Sequence, residues 1–159
     1  MAEIVLTRID DRLIHGQVAT QWIAKTGANT VFVLNDEVAK DPFKQELMNM
    51  IAPANAKTRY YTLKDGIKAI QEAASEEKIM ILVTDPKDVL TLIDGGIEIQ
   101  DVNVGNLPKA EGKKEVSPSV YVDQKEVDAF KALHDQGVHL NVQSVPNTVP
   151  ANADELLSA

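Results

Sequence analysis

Between Arg8 and His15 the chain places one imidazole, two guanidiniums and two carboxylates: Arg8-Ile9-Asp10-Asp11-Arg12-Leu13-Ile14-His15. Imidazole is a competent nucleophile near neutral pH because much of it is unprotonated there. Arginine matches a tetrahedral oxyanion in a way a point charge does not. Gly16 and Gln17 follow at the expected start of a helix, where backbone N–H groups and the helix dipole favour an anion. These parts suit transient phosphorylation of His15. They fit equally a solvated loop with local Arg8–Asp10 or Asp11–Arg12 pairs, or a module that binds a small anion or nucleotide without chemistry. The residue types leave those readings open.

Other chemistry is largely excluded. His134, at the wet edge of a helix, and His139, before a strand, have no clustered partners and read as surface residues. There is no Gly-x-x-x-x-Gly-Lys-Ser/Thr loop and no Gly-x-Gly-x-x-Gly after a strand, and Gly95-Gly96 reads as a helix terminator. No histidine pair has zinc spacing. Asp10-Asp11 could hold magnesium in a receiver-type switch, but the strand ending near Tyr61 supplies no phosphoacceptor aspartate. Trp22 reads as core, and Lys109, Lys113 and Lys114 as a solvated loop. With no cysteine, thiolate sites and disulfides are absent. A net charge of −8 disfavours nucleic acid and anionic membrane as partners. No apolar run approaches the roughly 20 residues of a membrane span, and the start of the chain lacks signal-peptide character.

The elements that must position the His15 segment follow from periodicity. Apolar, β-branched runs at Ile4–Leu6, Thr30–Leu34, Arg59–Tyr61, Ile79–Val83, Ile99–Val104, Ser119–Val122 and Leu140–Val145 read as strands. Lys78–Val83 is apolar at nearly every position, as a parallel strand covered on both faces would be. Between them, Val18 and Trp22, Phe43 and Leu47, and Leu63, Ile67, Ile70 and Ala74 have helical spacing. Val89, Leu92 and Ile93 form a further stripe, as do Val127, Phe130 and Leu133. Asp41-Pro42 and Asp85-Pro86 are helix starts; Gly27, Gly95 and Gly137 mark helix ends. The expectation is a single three-layer α/β/α domain spanning 1–159, with an open, mostly parallel sheet of about seven strands. Residues 105–118 break the rhythm and read as a long loop or hairpin. In such a sheet ligands bind beyond the carboxyl ends of the strands, where the His15 segment falls.

The segment Arg8 to Val18 resembles the active loop of the IIB components of the mannose/sorbose family of the bacterial sugar phosphotransferase system. The likeness continues through Asn35-Asp36-Glu37-Val38-Ala39, Asp41-Pro42, Asn103-Val104-Gly105-Asn106 and Ser119-Val120-Tyr121-Val122, to Val145-Pro146. It implies a cytoplasmic phosphocarrier, associated peripherally with the membrane through IIC and IID. Such a protein takes a phosphoryl group from a phosphohistidine on IIA and passes it to a sugar held by those membrane components. The family's phosphorylated histidine matches His15, with the δ nitrogen as acceptor, and its nearby arginine matches Arg12. Arg8, with N–H groups around Gly16 and Gln17, is expected to help hold phosphate, and Asp10 to orient an arginine or the imidazole. No cofactor or metal is called for, because donor and acceptor are both imidazoles and arginine supplies positive charge. A negative body with a local basic loop would steer a phosphorylated face of IIA to one place. Asn103 to Asn106 leans toward the N-acetylgalactosamine branch; homo-oligomerisation is left open.

Overall fold

Strands form where β-branched and other apolar residues gather, most densely at Val31–Leu34 and Ile79–Val83, and helices where apolar residues recur every third or fourth position. The computed structural model describes residues 2–158; Met1 and Ala159 lie outside the described residues. In chain order the elements are β1 (Glu3–Asp10), α1 (Gly16–Thr26), β2 (Thr30–Leu34), α2 (Pro42–Ile51), β3 (Lys57–Tyr61) and α3 (Leu63–Glu72). There follow β4 (Lys78–Val83), α4 (Pro86–Asp94), β5 (Asp101–Asn106), β6 (Lys114–Ser117), β7 (Val120–Val122), α5 (Gln124–Asp135) and β8 (His139–Val142). Six strands pair in the order β3-β2-β4-β1-β5-β8, and every pairing is parallel.

This is the expected three-layer architecture, with one strand fewer in the sheet than the seven candidates. The run at Ser119–Val122 does not join the row as a full strand. The glycine- and proline-rich stretch folds back as an antiparallel β6–β7 hairpin. The hairpin is fastened to the end of β5 by Leu107, whose N–H donates to Ser119 O at 2.9 Å and whose carbonyl accepts from Tyr121 N at 2.9 Å.

The strand order explains the layers. From β1 the chain moves toward β2 and β3, then turns back through β4, β5 and β8. Right-handed crossovers therefore put α1 and α2 on one face and α3, α4 and α5 on the other. Packing agrees residue by residue: along β2, Val31 and Val33 join Trp22 and Ile23 of α1, whereas Phe32 and Leu34 join Ile70, Leu92 and Phe130. Both faces of the central strands are covered, which is why β4 reads as an unbroken apolar run. At its carboxyl end β1 leaves toward α1 while its neighbours β4 and β5 leave toward the other face. That divergence opens the crevice in which this fold class places its ligands.

The helix punctuation forms as the residues dictate. Asp41 Oδ1 accepts from Lys44 N at 3.1 Å and Asp85 Oδ1 from Lys87 N at 2.8 Å, and Gly27 closes α1 at φ 75°. In α2, however, the stripe that gave the helical spacing faces outward. Phe43 is 71 % and Leu47 49 % exposed, Met50 beside them is 80 % exposed, and no α2 residue is fully buried. The helix rests on Met48 and its Asp41 cap instead. Replacing Phe43 and Met50 together by serine should therefore shift the unfolding free energy by less than about 0.5 kcal/mol each in a denaturant titration. A loss of several kcal/mol would place that stripe in the core.

Candidate active site

β1 extends to Asp10, so Thr7, Arg8 and Asp10, which read as loop, form the buried carboxyl half of the central strand. Side chains alternate across a strand. Ile9 thus joins the core on the face covered by α3, α4 and α5, while Arg8 lies against Trp22 of α1 and bonds Asp10 there. Arg8 is enclosed: its side chain is 2 % exposed and that of Asp10 0 %. Arg8 Nη2 donates to Asp10 Oδ2 at 3.0 Å, and Nη1 to Asn103 Oδ1 at 2.6 Å and Gln143 O at 3.4 Å. The Trp22 ring lies 5.5 Å from its guanidinium carbon, a cation–π contact that also fills the space above the strand. Burial pulls the Arg8 guanidinium below its ordinary pKa, and the adjacent Asp10 charge opposes that pull.

Two positions on β5 make this enclosure possible. Asn103, 3 % exposed, accepts from Arg8 and donates through Nδ2 to Asn141 Oδ1 at 2.8 Å and Gln143 O at 3.0 Å. A Cβ at Gly105 would run into the Arg8 guanidinium carbon, so only glycine leaves room for it. Reading for reactive side chains passes over both positions. Their signals were present but structural: an amide inside an apolar strand run, and a glycine interrupting it.

Asp10 carries the network outward. Its Oδ1 accepts from Arg12 N at 2.9 Å and Arg12 Nε at 3.1 Å, and its Oδ2 from Arg12 Nη2 at 3.1 Å. One carboxylate thus holds two guanidiniums, and the trio carries a net charge of about +1. The Arg12 side chain is 33 % exposed, and its Nη1 makes no hydrogen bond among the described residues. Asp11 is tied to the end of β5, accepting from Asn106 Nδ2 at 2.7 Å. A tight turn follows, closed by Leu13 N to Asp10 O at 2.9 Å, with Leu13 at φ 59°. That left-handed conformation costs roughly 1 kcal/mol for a side chain with a Cβ. It is held by burial of Leu13 and Ile14 in the α1-side core.

The turn delivers His15 to the surface as the residue capping α1, with extended backbone and an imidazole that makes no capping bond. Gly16 adopts φ 48°, and nothing lies within 4 Å of where its Cβ would be. Gly16 and Gln17 are both exposed, and helix geometry leaves their N–H groups without intrahelical acceptors. The structure therefore brings Arg8, Asp10 and Arg12 into one network at the end of β1, with His15, Gly16 and Gln17 on the exposed segment beyond it. Arg8, expected among the phosphate contacts, is walled off from solvent because its donors are directed into the sheet.

The remaining candidates lie elsewhere. His134 is exposed on α5, and His139, 74 % exposed, pairs with Asp101 at 3.4 Å. Lys113 binds Glu126 at 3.0 Å and Lys114 donates to Ser158 O at 3.0 Å, so neither is simply a solvated lysine. Asn35 and Asp36 serve turns: Asn35 Oδ1 accepts from Val38 N at 3.0 Å and Asp36 Oδ1 from Leu63 N at 2.9 Å.

Fold and site together define a doubly wound α/β protein that presents an anion-competent edge, with a nucleophilic side chain, beyond its central strand. Comparison with known proteins narrows the class. The family described as "PTS system sorbose subfamily IIB component" matches residues 4–159. The N-acetylgalactosamine-specific phosphotransferase enzyme IIB component 2 of Escherichia coli K12 is 46 % identical over 151 residues, 95 % of this chain and 96 % of that protein. The crystal structure of the N-acetylgalactosamine-specific IIB component 1 from Escherichia coli superposes with a TM-score of 0.90 at 39 % identity, covering 94 % of this chain and 99 % of that one. The IIB domain of the sorbose permease from Klebsiella pneumoniae also gives 0.90, at 32 % identity over 99 % and 98 % of the two chains. The chain belongs to the IIB components of the sorbose subfamily of the phosphotransferase system. Such a component is a phosphotransferase that accepts phosphate from IIA and passes it to a sugar imported through the membrane components IIC and IID.

Two stability tests follow from the geometry. Asp10→Asn keeps the shape but leaves Arg8 buried without its counter-charge, and should cost about 3–5 kcal/mol in chemical denaturation. Full stability in that variant would mean that Arg8 does not depend on Asp10. On the same rim, burial first and then Asp85 push the Asp88 carboxyl up from its ordinary 3.8 to about 6. The folded state then holds a proton that the unfolded chain releases, so stability falls as pH rises from about 4 to 6 and stays lower above. Asp88→Asn should raise stability at pH 8 by about 1 kcal/mol, after allowance for solvent screening, and leave it unchanged at pH 4. A pH-independent effect would contradict that assignment.

Proposed function

We propose that residues 1–159 act as one IIB domain whose phosphoryl acceptor is His15, with Arg12 stabilising the transferred group. One observation carries this reading: Arg12 is gripped by Asp10 through Nε and Nη2, yet one third of its side chain is open to solvent beside the exposed His15 segment. A cation held on one side and free on the other is preorganised for an anion arriving from solution. In the first half-reaction a neutral ring nitrogen of His15 forms the N–P bond in line as the bond to the IIA imidazole breaks, and the donor nitrogen keeps the electron pair. In the second, a sugar hydroxyl oxygen forms the O–P bond as the N–P bond breaks, the hydroxyl proton passes to solvent water, and His15 recovers its lone pair. Charge in the loose transition state lies on the equatorial oxygens. Arg12 and the N–H groups of Gly16 and Gln17 meet that charge. Arg8 acts as a positioning residue through Asp10, and Asp10 as the clamp on Arg12.

The donor is a phosphorylated IIA protein, the acceptor a sugar on IIC and IID, and the site of action the cytoplasmic face of the membrane. The N-acetylgalactosamine specificity in the names of the Escherichia coli relatives makes that amino sugar our first choice of substrate. A net charge of −8 around a locally positive loop limits binding of a phosphorylated partner to that loop and keeps the encounter weak elsewhere. Incubation with phosphorylated IIA should label the wild type with acid-labile, base-stable phosphate and leave His15→Ala unlabelled. Arg12→Ala should fold normally and transfer about 10²–10³-fold more slowly. Equal labelling of His15→Ala would sink the proposal, and unchanged rates in Arg12→Ala would remove Arg12 from it.

A further inference from the structure

Among the described residues, four of the five large apolar side chains that stand open to solvent lie on α2: Phe43, Leu47, Met50 and Ile51. Their spacing puts them on one stripe of the helix. Apolar surface gathered in one place marks a contact, whereas single exposed residues do not. The stripe is not turned out by a loosely seated helix. Gln45 Nε2 donates to Val38 O at 2.8 Å, the Tyr60 hydroxyl donates to Asn49 Oδ1 at 2.8 Å, and Met48 packs into the α1-side core. Those contacts hold the outward aim.

The stripe shares its side of the molecule with His15. α1 and α2 cover the same face of the sheet, and both start at the carboxyl rim. The strands that feed them, β1 and β2, flank β4 and so lie about 10 Å apart. Phe43, in the first turn of α2, therefore opens beside the rim that carries His15. The exposed residues of α1 include Gln17, Thr20 and Ala24, all uncharged, and the helix carries no acid. From Arg12 to Lys57, the stretch that holds α1, β2 and α2, there are five basic and four acidic residues, a net charge of +1. The whole chain carries −8, so the remainder carries −9. The acid-poor side bears both the stripe and the reactive rim.

In the proposed relay IIA meets His15 from solution, whereas the sugar is held by IIC and IID at a membrane whose inner surface is anionic. That surface repels a body of −8, and repels it least when the acid-poor side faces it. Resting on that reading of His15, we propose that the α2 stripe is the docking surface for the membrane components, which meet it with an apolar, acid-poor patch on their cytoplasmic side. Phe43 and Met50, the two most open side chains of the stripe, are its anchors. Lipid alone fits less well. A helix that lies in an anionic surface carries a strongly basic face, and α2 with its cap sets Asp41 and Glu46 against Lys44.

The test compares wild type with the double variant Phe43→Ser/Met50→Ser in two independent measurements. Flotation uses vesicles carrying the cognate IIC and IID, and vesicles of the same lipids without them. Wild type should float only with the former, and the double variant should bind them at least about tenfold more weakly. Labelling by phosphorylated IIA should proceed at the same rate in both proteins, which also reports that the variant is folded. A wild type that floats yet takes no phosphate on His15 fails the acceptor reading and not the docking one. Equal flotation of the two proteins overturns the proposal, as does failure of the wild type to float. Wild-type binding to the bare vesicles overturns it in favour of lipid. Slower labelling of the double variant assigns the stripe to IIA instead, and a wild-type dimer in sedimentation that the variant lacks assigns it to a second copy.

Discussion

A guanidinium and a carboxylate removed from water each cost several kcal/mol, and β1 carries one of each, Arg8 and Asp10, at 2 % and 0 % side-chain exposure. Their mutual contact cannot repay that cost without further partners. The surroundings of the pair read as the required compensation. Asn103 and Gln143 O absorb the Arg8 donors, Trp22 offers its ring face, and Gly105 gives up a side chain to leave room. Trp22 is itself pinned, its Nε1 donating to Ser144 O at 3.0 Å. Three separate stretches of chain are therefore fixed relative to one another by a single buried cation.

The reward appears at the solvent end. With both oxygens fully engaged, Asp10 has little freedom, and the Arg12 backbone and side chain inherit that rigidity. The turn at Leu13 then stores strain that burial of Leu13 and Ile14 offsets, and it aims the chain so that His15 emerges as α1 begins. A reactive histidine on a merely solvated loop would pay an ordering entropy at every encounter. Here the ordering is already done in the fold, so that in the role proposed for His15 a small protein can position a phosphoryl group without enclosing it.

Much of this was legible in the sequence, and the gaps have physical causes. The interior strands β2 and β4 were visible in their apolar runs, because a parallel sheet covered on both faces demands them. The hairpin was visible as a break in rhythm, but its failure to enter the sheet depends on Leu107 meeting Ser119 and Tyr121, a local pairing that periodicity does not encode. His15, Asp10 and Arg12 stood out by type. Arg8 did too, but with the wrong surroundings. Charge next to charge looks like a wet loop, and only Asn103 and Gly105, some 95 residues away in sequence, reveal that it is dry. Strand order, which brings β5 beside β1, is the missing information.

The same arithmetic explains why the loop is not more positive. A carrier must give away what it accepts, so contacts that hold phosphohistidine as tightly as the transition state would slow the second transfer without helping the first. Two arginines at the surface would form such a trap. In the proposed carrier role Arg8 spends its charge on Asp10, inside the sheet, leaving one cationic edge on Arg12 to face an incoming dianion. Asp11, held aside by Asn106, trims the local field further. The buried ion pair thus sets both the rigidity of the loop and the limit on its positive charge, and a shuttle between two partners needs both.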